Sequence, residues 1–341
     1  MAVIGNSFVG LVDYANGLAG NRTIGPVIEA LNLLNPLLRD AYMQEANNGT
    51  NHESFIRTGL GAVAWGKLYQ GILQSKSTKQ KVSDTTGFVE RLSTVDVRML
   101  EQAAGNAAQL RMDEARAALE AIAQEVQSGF FYNDTATTPD RFLGLAPRYG
   151  TISGGGAAAA QIVDAGGTGS DNTSIWMVTW GQGATSLIYP EGSVGGVQRK
   201  DMGVQRVLDD NNMPYFAKEE YFKQSVGVTV GDWRYNVRIA NVDLSDVKAG
   251  TVDLYGLLRK GLYRCQARRD ANLDNNDGIV RGGKTVIYMN RDMLEALDAQ
   301  TTNDNKIKLT PDEIAGKEVE TYRGFTIRET DALINAEARV V

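Results

Sequence analysis

Residues 94–127 read TVDVRMLEQAAGNAAQLRMDEARAALEAIAQEVQ, and this stretch decides the fold. Its apolar residues recur at steps of three or four, the period of one helix face, and are Leu100, Ala104, Ala108, Met112, Ala115, Leu119, Ile122 and Val126. Ser93 and Asp96 have the spacing of a capping box, so we expect the helix to begin there. Any core-facing helix has such a stripe, and the unusual property is its length.

At 1.5 Å per residue, the predicted helix would be about 50 Å long, which exceeds the width of a small domain. Gly105, followed by Asn106, is the one weak point in the pattern. A long isolated helix followed by mostly β-type sequence is rarely needed by a small enzyme. The pattern is typical of a protein that tiles a shell.

Composition limits the classes of function. The chain has 341 residues and is 43% hydrophobic, enough to bury a large core in one to three domains. Its 35 basic and 41 acidic residues give a net charge of −6, which disfavours broad binding to nucleic-acid phosphates. We find no secretory signal and no apolar run of the ~18 residues that span a bilayer, so we expect a cytosolic origin.

The sequence offers little for catalysis or metal binding. His52 is the only histidine and Cys265 the only cysteine, so neither a cysteine metal cluster nor a multi-histidine site can form. Cys265 is expected to be a buried apolar residue. Carboxylates are abundant, but no pair is placed for acid–base work. We therefore predict a chain that is not an enzyme and has no cofactor and no metal.

One motif suggests nucleotide binding. Residues 278–285, GIVRGGKT, satisfy the phosphate-loop pattern and place Lys284 where it would contact phosphates. That pattern works between a strand and a helix, whereas here a polar loop precedes it and TVIYMN, a strand-like run, follows. Residues 273–284 also imitate a calcium loop, but Leu273 and Lys284 cannot be its ligands. Nucleotide binding through Lys284 is kept as a minor alternative.

Beyond the helix, the sequence predicts a hairpin and a sheet. Strand-like runs at residues 54–60 and 87–92 flank a glycine- and lysine-rich excursion. An isolated hairpin is marginal in water, so we expect it to lie on another subunit, with packing on its own domain as the alternative. Further strands are predicted at residues 174–180, 185–189, 215–230, 233–242, 284–289 and 321–329, with helical sequence at 246–271 and a short helix at 293–299 capped by Asn290.

Six segments, in order, carry a resemblance to a known family. They are QEANNGT (44–50), FFYNDTATTPDRFLGLAPRYG (130–150), DNTSIWMVTWGQGATSLIYPEGSVGG (171–196), DWRYNVRIANVDLS (232–245), GKTVIYMNRDMLEAL (283–297) and YRGFTIRETDALINAEARVV (322–341). Together they resemble major capsid proteins of short-tailed double-stranded DNA bacteriophages. The resemblance covers essentially the whole chain.

The resemblance implies an α+β chain with the Hong Kong 97-type capsid fold. The expected parts are an N-terminal arm (1–49), an extended loop (50–92), a peripheral domain (93–244) with a spine helix (94–127), an axial α/β domain (245–330) and a C-terminal segment (331–341). In the usual connectivity the axial domain directly follows the spine helix. Here the peripheral-type strands come first, which suggests a permuted connectivity.

The implied function is self-assembly into hexamers and pentamers of an icosahedral phage head that encloses double-stranded DNA. The expected partners are other copies of the chain, a scaffolding protein, a portal, a decoration protein and non-specifically packaged DNA, with assembly in the bacterial host cytoplasm and no membrane. The alternatives are the shell of a cellular nanocompartment and a virion attachment or decoration protein.

Two hypotheses concern particular residues. Five cations of the extended loop would contact acidic surface on a neighbouring subunit, so Lys76/Lys79/Lys81→Glu should leave soluble capsomers; the five are Arg57, Lys67, Lys76, Lys79 and Lys81. Gly105 would be a hinge that absorbs the different angles of hexamers and pentamers.

Overall fold

A computed structural model describes residues 18–19, 23–24, 36–154, 156–209, 211–269, 281–303, 310–314 and 317–341. Most of the predicted arm and the loop before β12 therefore lie outside the described residues. The chain forms two compact units. The spine unit contains residues 88–126, 196–225 and the described residues before 34, and the sheet unit contains residues 34–87, 127–195 and 226–341.

The described residues form fifteen strands and eight α-helices, besides short 3₁₀ turns. The strands are β1 (Leu18–Ala19), β2 (Thr23–Ile24), β3 (Met43–Glu45), β4 (Asn51–Gly59), β5 (Thr78–Asp96), β6 (Ile162–Asp164), β7 (Asn172–Gln182), β8 (Thr185–Tyr189), β9 (Val197–Leu208), β10 (Pro214–Val230), β11 (Val237–Asp243), β12 (Arg281–Met289), β13 (Thr310–Ile314), β14 (Lys317–Tyr322) and β15 (Phe325–Glu329). The helices are α1 (Leu37–Asp40), α2 (Val97–Ala103), α3 (Ala107–Tyr132), α4 (Leu145–Arg148), α5 (Gly156–Ala159), α6 (Leu244–Lys248), α7 (Leu254–Arg264) and α8 (Arg291–Asn303).

A mixed sheet organises the sheet unit. Its strand order is β13-β14-β15-β12-β7-β8, with β11 and β6 continuing from β7. β12 is parallel to β15 and antiparallel to β7, whereas β3 and β8 are parallel. Every residue of β7 except the last, Gln182, is buried, because both faces of the strand are covered.

One face of β7 carries an aromatic cluster. Trp176 and Trp180 are four residues apart and therefore lie on the same face of the strand. Both contact the end of α3, where Phe130 stacks on Trp180 at 5.2 Å between ring centroids. Phe131 lies 6.1 Å from Trp176 and 6.2 Å from Tyr288. Edge-to-face and offset ring contacts of this kind stabilise a core beyond the area that they bury.

The opposite face of β7 packs on helices. Ile175 and Met177 point to this side and belong to a buried cluster with Leu258 of α7 and Met293 of α8. The same cluster contains Cys265, which is 2% exposed, so the predicted burial of the cysteine is confirmed. Sheet and helices thus form the α+β architecture predicted from the sequence.

The spine unit combines the long helix with a β-hairpin. β9 and β10 are antiparallel from Pro214 to Gln224, and Arg111 of α3 forms ion pairs with Glu220 and, at 2.8 Å, with Asp201. Arg199 also pairs with Glu220 at 2.7 Å. These charges fasten the helix to the hairpin because Glu220 is almost fully buried and holds both guanidinium groups.

The predicted spine helix exists, but with different ends. β5 continues to Asp96, and α2 begins at Val97 rather than Thr94. The capping-box prediction at Ser93 was wrong, because Asp96 itself accepts the N–H of Arg98 at 2.8 Å. α3 continues beyond Gln127 to Tyr132 because its last turn enters the aromatic cluster. The predicted weak point is a 3₁₀ turn, Ala104–Asn106, between α2 and α3.

The strand predictions differ in accuracy. Those for β7, β8 and β10 are confirmed to within two residues at each end. The strand predicted at residues 233–242 begins only at Val237, because Asp232 caps a 3₁₀ turn. The single strand predicted at residues 321–329 is two strands joined by a turn at Arg323. Within the helical stretch predicted at residues 246–271, the described residues, up to 269, form α6, α7 and a 3₁₀ turn instead of one helix, and residues 270 and 271 lie outside the described residues.

The prediction of a helix capped by Asn290 is confirmed, although the helix, Arg291–Asn303, is longer than the predicted residues 293–299. α8 starts at Arg291, and Asn290 Oδ1 accepts the N–H of Met293 at 3.0 Å. The domain boundary predicted before residue 245 lies inside the sheet unit, because β7, which precedes this boundary, pairs with β12, which follows it. The five-part division and the permuted connectivity stay predictions.

Candidate functional site: the extended hairpin

The extended hairpin, residues 51–87, projects two paired strands and a long connecting segment. β4 and β5 are antiparallel, with Asn51 opposite Thr85 and Arg57 opposite Lys79. Residues 60–77 join them without helix or strand, and we call this segment the tip. The strand predicted at residues 87–92 is therefore part of the much longer β5.

Hydrogen bonds fix the base of the hairpin. Asn47 Nδ2 donates to the carbonyl of Glu53 at 2.8 Å, and Asn47 Oδ1 accepts the N–H of Glu53 at 2.7 Å. The N–H and hydroxyl of Thr86 both donate to the carbonyl of Thr50. Asn47 and Thr50 belong to QEANNGT, so one short segment both precedes β4 and orients it.

A buried ion pair lies beneath this base. Asp84 accepts from Arg148 at 2.8 Å, and their side chains are 3% and 14% exposed. Arg148 also donates to the carbonyls of Leu143 and Val228. His52 stands opposite Asp84, and burial lowers the pKa of its imidazole although Asp84 partly opposes the shift. Separating the two would leave a buried charge unpaired, which is costly, so the ion pair holds the base of the hairpin in place.

All five cations that the sequence singled out lie on this hairpin. Arg57, Lys67, Lys76 and Lys79 are exposed, Arg57 and Lys79 on the strands and the other two in the tip. Lys81 instead pairs with Glu53 at 2.7 Å across the two strands. The structure thus gives Lys81 a partner within its own hairpin.

Sequence reasoning missed the apolar side chains of the tip. Five of them are each at least 91% exposed: Val63, Trp65, Leu68, Tyr69 and Ile72. The available signal was the density of large apolar residues in GAVAWGKLYQGIL, residues 61–73, which the lysines obscured. Exposed apolar surface concentrated in one short segment is typical of an interaction surface.

Lys284 does not belong to a phosphate loop. It lies within β12, and the residues that follow continue the strand rather than open a helix. Its ammonium pairs with Asp40 at 2.7 Å, and Arg328 pairs with the same carboxylate at 3.2 Å. The hydroxyl of Thr285 lies 3.0 Å from that of Thr179 in the core. The phosphate-loop interpretation behind the nucleotide-binding alternative was therefore wrong, because a strand cannot present backbone N–H groups to a phosphate as a helix N-terminus does.

The described residues hold no cluster of three or more His, Cys, Asp or Glu side chains suited to a metal ion. Burial raises the pKa of the Cys265 thiol, which makes it a poor nucleophile. In the part of the chain that the structure covers, no helix has both the length and the apolar character needed to cross a bilayer.

Comparison with known proteins identifies the family. The profile of major capsid protein GP7 matches residues 19–341. This chain belongs to that major capsid protein family. A chain in the cryo-EM structure of bacteriophage Epsilon15 is 30% identical, with a TM-score of 0.75, and the match covers 100% of this chain and 99% of that chain. Curated protein sequences gave no match.

More distant structures also resemble the capsid protein. The holo-SrpI encapsulin of Synechococcus elongatus PCC 7942 is 10% identical, with a TM-score of 0.44, over 64% of this chain and 90% of that chain. The capsid of a native GTA particle is 9% identical, with a TM-score of 0.43, over 65% and 94%. The fold is that of Hong Kong 97-type phage capsids, the role is structural, and the nanocompartment alternative is not favoured.

The C-terminal segment of the capsid protein is built into its core. Arg238 and Glu337 form an ion pair at 2.8 Å with both side chains 5% exposed. Tyr132 donates to the same carboxylate at 2.5 Å, as does Ser174. The guanidinium of Arg238 also lies 5.1 Å above the ring of Trp176. The last residues thereby close a polar network within the aromatic side of the sheet unit.

Proposed function

We propose that this capsid protein assembles into hexamers and pentamers of an icosahedral phage head enclosing double-stranded DNA, and that the extended hairpin of each copy docks on a neighbouring copy. The observation that carries the proposal is the exposed apolar tip. Self-association of the family provides the partner. A second copy of the chain is therefore the occupant that we assign to the tip.

Apolar burial would provide most of the docking energy. Trp65 and Tyr69 are fully exposed in the single chain, and burying a large apolar side chain contributes about 1.5–3 kcal/mol. Aromatic residues at the centre of an interface commonly dominate its binding energy. Two such anchors repeated at every contact of a closed shell would hold each subunit in place.

The exposed cations would set the register of docking. Lys67 and Lys76 lie in the tip and Arg57 and Lys79 on the strands next to it, and the chain carries a net negative charge of −6. Charges at the rim of an interface steer association and exclude wrong registers more than they add affinity. Lys81 has a smaller part in this proposal because it already neutralises Glu53.

The 3₁₀ turn at Gly105 is proposed as the hinge of the spine. Gly105 is exposed, and a Cβ there would meet nothing within 4 Å, so the space on this side of the turn is open to bending. A 3₁₀ turn between two α-helices is a common form of hinge. Bending there would let one sequence adopt the two environments of pentamers and hexamers.

Further partners follow from the assembly. We propose a separate scaffolding protein, a portal, a decoration protein and non-specifically packaged DNA, with assembly in the bacterial host cytoplasm. The acidic balance of the chain disfavours tight binding to DNA phosphates, so the packaged DNA would touch the shell only weakly and without sequence preference. The role proposed for the chain itself is structural, without catalysis.

The test compares two variants by negative-stain electron microscopy and size-exclusion chromatography. Trp65→Ser with Tyr69→Ser should leave unassembled protein of unchanged thermal stability, because neither side chain is buried in the single chain. Met213→Ser, an exposed apolar residue outside the hairpin, is the matched control and should assemble normally. Normal heads from the double variant would refute docking through the tip.

The charge contribution is tested separately with Lys67→Glu, Lys76→Glu and Lys79→Glu together. We expect slower assembly that added salt accelerates, since the introduced charges repel the acidic surface that attracted the lysines. Assembly at the normal rate in low salt would exclude a steering role for these cations. Because Lys81 is unchanged, the variant leaves its pair with Glu53 intact.

A further inference from the structure

A cationic cavity lies in the sheet unit, away from the extended hairpin. It has a volume of about 490 Å³ and lies between the 3₁₀ turn after α7, β12 and the β14–β15 turn. Three cations line it: Arg268, Lys284 and Arg323. No aspartate or glutamate is among the described residues of its wall. In a chain of net negative charge, the described part of this wall therefore concentrates positive charge in a concave site.

A tight turn holds Arg323 at the cavity. Tyr322 pairs with Phe325, so Arg323 and Gly324 are the two central residues of the turn. Their φ angles are +50° and +85°, the left-handed geometry of a type I′ turn. Asparagine usually occupies the position of Arg323 in such turns, because few other residues adopt positive φ at low cost. The turn thus fixes the backbone from which the Arg323 side chain extends along the cavity wall.

Both guanidinium groups rest on aromatic rings. Arg268 lies 4.2 Å from the ring centroid of Tyr263, and Arg323 lies 5.7 Å from that of Tyr322. Within the described parts of the chain, no carboxylate forms an ion pair with either group. Lys284 differs because Asp40 neutralises it at 2.7 Å. Both guanidinium groups therefore stand at the cavity wall on an aromatic ring, without a carboxylate partner among the described residues.

We infer that this cavity binds a small phosphorylated anion, with Arg268 and Arg323 as its two ligands. The planar guanidinium fork matches a phosphate through paired N–H···O bonds, which an ammonium cannot provide. The cavity volume lies in the range of small-molecule sites, so a di- or triphosphate fits, whereas a DNA duplex does not. This site is independent of subunit docking, and it uses side chains rather than the backbone of a phosphate loop.

The test measures binding of inorganic tripolyphosphate to the purified full-length protein by isothermal titration calorimetry at about 0.15 M salt. We expect saturable binding with one site per chain. Arg323→Asn introduces a residue that the turn accepts, and Arg268→Gln keeps a polar side chain while removing the charge. Each should weaken binding roughly tenfold, because each removes one charge-assisted pair of hydrogen bonds.

Arg269→Gln is the matched control, since this exposed neighbour of Arg268 is not part of the cavity wall. It should bind tripolyphosphate as the wild type does. Equal weakening in this control, or no saturable binding by the wild type at millimolar tripolyphosphate, would overturn the inference.

A second arm separates small anions from nucleic acid. Duplex DNA, at equal phosphate concentration, should fail to displace tripolyphosphate. If DNA displaces tripolyphosphate from the wild type, and Arg323→Asn abolishes this displacement, the cations contact a nucleic-acid backbone instead. The assignment to a small anion would then be wrong.

Discussion

Replacing Glu337 with alanine should strongly destabilise the sheet unit. The carboxylate accepts from Arg238 at 2.8 Å and from the hydroxyl of Tyr132 at 2.5 Å, and the side chains of Arg238 and Glu337 are 5% exposed. Its removal leaves Arg238 charged and buried, with only neutral acceptors among the described residues, such as the carbonyl of Tyr149 at 3.0 Å. Breaking a buried pair in this way costs about 3–5 kcal/mol.

That loss is large relative to the whole stability of a domain, which is about 5–15 kcal/mol. It corresponds to a decrease in melting temperature of about 6–20 °C for a unit of this size. The assay is urea unfolding of the unassembled protein, monitored through the fluorescence of Trp176 and Trp180. Both indoles lie in the aromatic cluster that the C-terminal segment covers, so their emission should shift when the unit unfolds.

Two variants control this experiment. Glu329→Ala removes one partner of an exposed pair, in which Arg291 is 76% exposed, and should cost less than about 1 kcal/mol. Glu337→Gln keeps hydrogen-bond acceptance without the charge and should lie between the wild type and Glu337→Ala. If Glu337→Ala were no more harmful than Glu329→Ala, the reasoning from the buried pair would be refuted.

Three further predictions concern other parts of the chain. Burial lowers the pKa of His52 below its usual value of 6.5, so the unfolded chain binds the proton more readily and the free energy of unfolding should fall as the pH decreases below about 6.5. In urea unfolding between pH 8 and pH 5, this fall should be smaller for His52→Gln than for the wild type. Gly105→Ala should stabilise the spine by up to about 1 kcal/mol while reducing the yield of closed heads in electron micrographs; normal heads would exclude the hinge. Phe131→Ala should cost about 3–5 kcal/mol in urea unfolding because it opens a cavity between Trp176 and Tyr288, and a loss below 1 kcal/mol would mean that the cluster closes around it.

The sequence predicted the elements whose boundaries are local. β8 is confirmed from Thr185 to Tyr189 because Gly183 and Pro190 bound a short β-branched and apolar run. Asn290 was recognised as the cap of α8 because capping needs only its own side chain and a backbone N–H three residues later. The weak point near Gly105 was also visible, since glycine lowers helix propensity wherever it occurs.

Only the tertiary structure decided features that depend on distant residues. The spine helix starts late because β5 continues to Asp96, and it ends late because Phe131 reaches the aromatic cluster. Asp40 meets Lys284 across 244 positions, and no sequence period encodes that contact.

The candidate site shows the same division. The sequence placed the cations on the hairpin, but it could not reveal that Lys81 faces Glu53, which depends on strand register. Nor could it reveal that Trp65 and Tyr69 remain exposed, because apolar residues predict burial and only the folded chain shows where its core ends. Sequence alone determined the family, the α+β class and the local caps through short-range chemistry, whereas register, burial and charge pairing were decided by packing between segments far apart in the chain.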